Sequence, residues 1–244
     1  MNPNIPIYRQ EKIVIDSFNF LHTVNGNLGS IYLKSRGISK ETAQTFNIGY
    51  CDQSIDRELA GSIIIPIYDS YGNLKAIMKR TLPEFTPEGL QAYWNTRYKK
   101  SHYLYGLYLT KNWIYHNNYI IIVEGPFDAM FLWQSGIKNI VALCGTNISS
   151  RHISIILRYC KRVILCLDRD ENFAGQKSSD KGKILFDEAG FDTATVELPI
   201  GTDPDKFIME NGVETFQKLI NKSLILGNGD ESDIFSLLEK VKNL

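Results

Sequence analysis

The chain is short of several residue types, and each shortage excludes a class of protein. Cysteine is scarce, with four in 244 residues, at positions 51, 144, 160 and 166. No two form a Cys-x-x-Cys pair, which excludes a zinc ribbon. Cys144 and Cys166 lie in or beside apolar runs and are expected to be buried thiols. The four histidines (His22, His102, His116, His152) have no ligand spacing and are assigned to surface or core. Net charge is also missing, because 27 basic residues balance 27 acidic ones. With no global basic field, any nucleic acid must be held by local patches. Apolar runs fall far short of a membrane span, and the polar start MNPNIPIYRQEK does not read as a signal peptide, so a reducing cytoplasm is the expected compartment. A GxxxxGK[ST] phosphate loop is absent, which excludes a P-loop ATPase or helicase motor.

What is present is an ordinary globular composition, 43% apolar and 22% charged, in a length that admits one large domain or two small ones. The first part predicts a helix over 13–21 and another around Ile31 and Leu33 closed by Gly37. A short helix then runs from an N-cap at Ser39 to about Phe46. GSIIIPIYDSYGNLKAIMKR predicts a hairpin around DSYGN, with Pro66 at a sheet edge or bulge. Residues 81–102 are polar, carry Pro83, Pro87 and Gly89, and predict a long functional loop.

From residue 119 the pattern is regular. Strands over 119–123, 139–143, 162–167 and 193–198 alternate with helices over 126–134, 149–159 and 176–189, with Gly136 and Gly190 as helix stops. Such alternation predicts a parallel sheet flanked by helices. ENGVETFQKLI predicts one further helix, ILGNGDESD a linker and IFSLLEKVKNL a terminal amphipathic helix.

Six acidic residues stand in three clusters in this second half: Glu124 and Asp128 in IIIVEGPFDAM, Asp168 and Asp170 in VILCLDRDENFAG, and Asp203 and Asp205 in GTDPDKF. Two clusters follow apolar β-branched runs, so their carboxylates are expected at the carboxyl edge of the sheet, where α/β folds bind ligands. Carboxylates converging there repel each other unless cations intervene, and hard oxygen ligands suit Mg²⁺ or Mn²⁺. The competing reading is that these acids cap helices or line a solvated loop; for Asp128 that role is a helix N-terminal carboxylate favoured by the dipole.

Glu124-Gly125-x-x-Asp128 followed by Asp168-x-Asp170 resembles the Toprim pattern of bacterial-type primases, topoisomerases and related enzymes. Further stretches narrow the resemblance to the catalytic core of bacterial replicative (DnaG-like) primases. They are YLKSRGISKETAQTFNIGY, SIIIPIYDSYGNLKAIMKR, YWNT with KKSHYLYGL, ALCGTNIS, and the tract from LPIGTDPDKF to residue 220. The fold this implies is α/β: a Toprim-type parallel sheet flanked by helices (113–200), preceded by a smaller mixed α/β subdomain (1–112) and followed by an acidic metal motif with C-terminal helices (201–244).

The activity implied is synthesis of short RNA primers on single-stranded DNA by two-metal nucleotidyl transfer. The resemblance assigns metal ligation to Glu124, Asp128, Asp168, Asp170, Asp203 and Asp205, and catalysis to Glu124, Asp168 and Asp170. Nucleotide or DNA contacts are expected from Arg80, Asn95, Lys99, Lys100, Tyr93, Gly125, Gly145 and Thr146. Tyr93 and Trp94 either stack on a base or anchor the loop. Two or more Mg²⁺ or Mn²⁺ ions and no zinc are implied, with single-stranded DNA and nucleoside triphosphates as partners and a separately encoded replicative helicase as a further one.

Ala92 stands where the family carries a basic residue, and Met78-Lys79 where it carries a glycine pair. The sequence has neither the zinc-binding nor the helicase-interacting domain of the cellular enzymes, which suggests a phage or mobile-element version. Two other classes are weighed: a Toprim nuclease that cuts with the same metals, and a degenerate module that only binds DNA or the replisome. A topoisomerase would need a large tyrosine-bearing domain for which there is no room.

Overall fold

The computed structural model describes residues 3–145, 147–168 and 174–226. The terminal helix expected over 234–244 lies outside the described residues, as does most of the linker before it.

Three helices open the chain: α1 (Ile7–Leu21), α2 (Asn27–Ser35) and α3 (Lys40–Thr45). Ser39 caps α3 by accepting the Thr42 N–H at 3.1 Å. Helix α1 begins earlier than expected, directly after Pro6, because exposed Tyr8 and Ile15 blur its apolar stripe. An antiparallel sheet follows, of β1 (Gly49–Cys51), β2 (Ser62–Tyr68), β3 (Leu74–Thr81) and β4 (Tyr93–Asn95), in that order. Pro66 sits in an internal strand, but β1 reaches only to Ile64, so this stretch of β2 pairs with β3 alone. The irregularity in that ladder falls next to it, at Ile67/Tyr68.

The expected loop 81–102 is not structureless. It folds back to add β4, pairing Met78 with Asn95 and Arg80 with Tyr93, and includes one-turn 3-10 segments at Pro83–Phe85 and Lys100–His102. A three-residue strand is too short to leave an alternating pattern, and its stability comes from pairing with β3.

Helix α4 (Leu107–Asn117) leads into β5 (Tyr119–Val123), α5 (Pro126–Gln134), β6 (Ile140–Ala142), α6 (Ser150–Ile156), β7 (Arg162–Leu165), α7 (Ala174–Glu188) and β8 (Asp192–Thr195). All pairings are parallel and the order is β6-β5-β7-β8. The one helix expected over 210–220 is two, α8 (Pro204–Asn211) and α9 (Val213–Leu226), parted at Gly212, whose φ of +82° ends α8.

Side-chain alternation divides the core. Ile121, Val123, Ile140, Ala142 and Ile164 face one cluster, which extends to Ile63, Ile65 and Ile67 of β2 and Ala76 and Met78 of β3. Ile120, Ile122, Val141, Val163 and Leu165 face the other, beneath Leu107, Ile156 and Phe186. A third cluster packs α1 (Ile13, Val14) on the far face of the antiparallel sheet (Ile64, Ile77). Both sheets are thus buried on two sides at their centres, which is why β2, β5 and β7 read as apolar runs. All four cysteines are buried free thiols. Among the described residues, no helix is long and apolar enough to cross a membrane.

Candidate active site

The chain runs from β5 outward to β6, then crosses back to β7 on the other side of β5 and continues to β8. Winding therefore reverses at the β5–β7 pair, and the crevice at the carboxyl ends of those strands is where such sheets take ligands. Glu124 follows β5 directly, and Asp168 lies just past β7. The Glu124 carbonyl accepts the Cys144 N–H at 3.0 Å, which ties the loop after β6 to the same edge.

Gly125 makes the turn from β5 into α5, and Asp128 closes it by accepting the Gly125 N–H at 3.2 Å through Oδ2. A Cβ on Gly125 would stand 2.6 Å from that oxygen, so the glycine leaves room for the carboxylate. Gly125→Ala is expected to push Asp128 out of place and weaken Mn²⁺ binding by about tenfold, since displaced supporting contacts at metal sites cost that order. A Mn²⁺ titration checks this.

Asp203 caps α8 by accepting the Lys206 N–H at 3.0 Å, and Asp205 follows in its first turn. One carboxylate oxygen each of Asp128, Asp203 and Asp205 lie within 4.8 Å of one another. At that range two anions repel by about 3 kcal/mol at an effective dielectric near 20, so three do not stay ionised together unaided. Arg36, at the end of α2, donates to Asp205 at 3.0 Å and lies 5.0 Å from the centroid of the Phe127 ring.

Burial and the charges of Asp168, Asp205 and Asp203 push Asp128 well above the usual carboxylate range. Burial and Asp203 push Asp205 up to about 6 against the pull of Arg36. Asp203 moves the other way. Burial would raise it, but hydrogen bonds from Asp205 and the Lys206 N–H, together with the charge of Arg36, hold it low. A crowded, largely buried set of three carboxyls with one arginine beside it offers the oxygen donors that suit a hard divalent ion.

The linkage gives a testable sign. Carboxyls with raised folded pKa values bind more protons folded than unfolded between pH of about 4 and 6, so they stabilise below about pH 4 and lose that contribution as pH rises through 6. Asp203, held low, acts in the opposite sense. The melting temperature of metal-free protein is expected to fall between about pH 4.5 and 7, and Mg²⁺ or Mn²⁺ to restore it at pH 7 but not at pH 4.5. Calorimetry with and without the ion measures this.

The acids face a cavity of about 320 Å³. Glu124, Gly125, Asp128, Asp168 and Asp203 line it, as do Arg36, Met78, Tyr93, Asn95, Lys100 and Gly145 from other elements, whereas Asp205 does not. Lys100 Nζ donates to the Cys144 carbonyl at 2.8 Å. Arg80 stands behind this wall. Its Nε donates to the Tyr32 hydroxyl at 3.1 Å and its guanidinium lies 4.6 Å from the Tyr93 ring centroid. Lys99 and Arg97 are exposed and do not line the cavity. Trp94 points to the opposite face and packs with Ile13, Leu59, Ile64 and Ile77, so it is an anchor rather than a stacking surface for a base. Asp170 and Thr146 lie outside the described residues.

Arg36 is the residue that the sequence did not single out. It reads there as a cation at a helix end before Gly37, and only the folded chain brings it to Asp205.

A Toprim-like family model matches residues 121–208, the stretch that carries all three acidic clusters. The DNA primase of Aquifex aeolicus is 31% identical over 224 residues, covering 80% of this chain and 45% of that protein. The DNA primase of Clostridium acetobutylicum is 30% identical over 224 residues, covering 79% of this chain and 37% of that protein. The chain thus spans less than half the length of these two relatives. Among solved structures, the zinc-binding and RNA polymerase domains of the Aquifex aeolicus primase superpose with a TM-score of 0.76 at 27% identity, over 90% of this chain and 62% of that one. A DNA primase domain from Pseudomonas aeruginosa gives 0.78 at 24% identity, over 89% and 79%. A DnaG primase catalytic domain bound to single-stranded DNA gives 0.73 at 22% identity, over 89% and 83%, a likeness of fold. With sequence similarity along about 80% of its length and the same fold along about 90%, the chain belongs to the DnaG-type DNA primases, as a catalytic core with a Toprim domain.

Proposed function

We propose that this chain synthesises short RNA primers on single-stranded DNA by metal-dependent nucleotidyl transfer. The observation that carries the reading is a single cavity lined both by carboxylates from three segments and by Arg36, Asn95 and Lys100. That is the charge pattern a nucleoside triphosphate requires, with acids for divalent ions and fixed donors for phosphate oxygens.

Asp128, Asp168, Asp170, Asp203 and Asp205, with Glu124, would hold two or more divalent ions, Mg²⁺ or Mn²⁺. Bound there, the ions supply charge stabilisation to the attacking 3′-oxygen and the leaving pyrophosphate oxygen. Glu124, next to the strand end, shares in ion binding or accepts the proton of the 3′-hydroxyl. Lys100 serves as a point charge for phosphate, and Arg36 links Asp205 to the cavity wall. The backbone at Gly125 and Gly145 gives close approach to the ligand, and Thr146, outside the described residues, keeps the nucleotide or DNA contact that the resemblance implies. Asn95 and Tyr93 orient the nucleotide, with Arg80 supporting the Tyr93 ring. Lys99 extends the positive rim toward the template. The solved DnaG relative bound to single-stranded DNA supports a DNA template, and a replicative helicase is the expected further partner.

A Toprim nuclease would use the same carboxylates but has no need for the wall of Asn95, Lys100 and Arg36. The two are separated by incubating end-labelled single-stranded DNA with the chain and Mn²⁺, with and without nucleotides. The primase reading expects the DNA to keep its length in both tubes. Shortening without nucleotides moves the assignment to a nuclease.

A further inference from the structure

We propose that His152 is a positioning residue for Lys100, holding the 3-10 segment Lys100–His102 so that the lysine stays on the cavity wall. The inference rests on the phosphate-binding role given to Lys100 above.

The geometry is a three-point clamp. His152 is 1% exposed and lies in the first turn of α6, with its Nε2 3.1 Å from the Lys100 carbonyl oxygen. A carbonyl only accepts, so this nitrogen carries the proton. Burial lowers His152, the backbone of Lys100 and Tyr103 pulls the other way, and the net shift is down, so the ring is a neutral donor at pH 7. The second point is Ser149, which caps α6 through the His152 N–H at 3.2 Å and donates its hydroxyl to the Ser101 carbonyl at 3.3 Å. The third is Lys100 itself, whose Nζ donates to the Cys144 carbonyl at 2.8 Å.

The α6 start thus grips the backbone of Lys100 and Ser101, while the side chain of Lys100 grips the loop at the end of β6. Lys100 is a flexible side chain on a short exposed segment. Without the α6 contacts, its direction would depend on the Cys144 carbonyl alone, a bond it must loosen to meet a phosphate. A buried donor fixed by packing does not move with the ligand, so it keeps the lysine's origin in place when that bond is exchanged. Burying a histidine only to fill space would not require a nitrogen aimed at this carbonyl.

The test is a double-mutant cycle read by binding of Mg²⁺·ATP to the full chain without template, alongside primer synthesis and melting temperature. His152→Leu removes the donor, and His152→Gln keeps a neutral N–H at similar reach. His152→Leu is expected to weaken ATP binding by about tenfold, the effect of one lost bond that orients a charged group, and His152→Gln by no more than about twofold. In a Lys100→Ala background His152→Leu should add nothing, because the two act as a unit.

Equal losses with and without Lys100, or a glutamine variant as weak as leucine, overturn the inference. So does unchanged ATP binding in Lys100→Ala. Should His152→Leu fail to fold, Ser149→Ala replaces it in the cycle with the same expected direction. Failure of the primase reading looks different: coupling in ATP binding persists, yet wild type makes no primer.

Discussion

Asp168→Ala is expected to lower primer synthesis by about a thousandfold or more, the scale on which loss of one preorganised electrostatic group at a reacting centre acts. Asp168 shares the cavity wall with Glu124, Asp128 and Asp203. Its charge is also one of the causes that raise Asp128, after burial. Removing it relieves repulsion, so the metal-free variant should melt no lower than wild type, and Asp128 should ionise more easily. A site kept for function costs stability in this way. The variant should also lose the stabilisation that Mn²⁺ gives wild type. Synthesis, melting temperature and a Mn²⁺ titration on the same preparation check all three. Synthesis at the wild-type rate would remove Asp168 from the chemistry.

The second large effect is on stability. Phe46, at the end of α3, is 1% exposed. Its ring stacks on Tyr105 at 5.7 Å and meets Trp133 edge-on at 5.6 Å. Tyr105 bridges to Ala142 of β6 by reciprocal backbone bonds of 2.8 and 3.1 Å, and Trp133 belongs to α5. One side chain therefore joins the helices before the first sheet to the parallel sheet that carries the acids. Nearby, Gln134 accepts the Ser39 N–H at 3.0 Å and fastens the same junction. Phe46→Ala removes the transfer free energy of a buried ring and leaves a cavity, together about 3–5 kcal/mol. For a chain of this size that lowers the melting temperature by roughly 10 °C. Because Arg36 reaches Asp205 across this junction, the variant should also bind Mn²⁺ more weakly near its melting range. A shift of about 2 °C or less would mean that the two parts are not joined through Phe46.

Strands buried on both faces, as β5 and β7 are, leave runs such as YIIIV and RVIL that no loop would carry, and so the parallel sheet was legible in the sequence. The acids were legible for the same reason, since Glu124 and Asp168 sit where those runs stop. Two kinds of feature were not. Strand β4 depends on a partner, β3, rather than on its own three residues, so it reads as loop. Arg36 depends on α2 and α8 meeting, 169 residues apart in sequence. Trp94 is open in the sequence between a base platform and a loop anchor, and the pleat decides for the anchor by turning it to the far face. Gly212 is visible, but a single glycine inside a helical pattern is often tolerated and does not by itself mark a break.

The most direct measurement is synthesis on unprimed single-stranded DNA with four ribonucleotides, labelled ATP and Mg²⁺ or Mn²⁺. Short, alkali-labile labelled products from wild type, absent with Asp168→Ala, are the predicted result. No labelled product with either ion, or equal product from the Asp168→Ala variant, would contradict it.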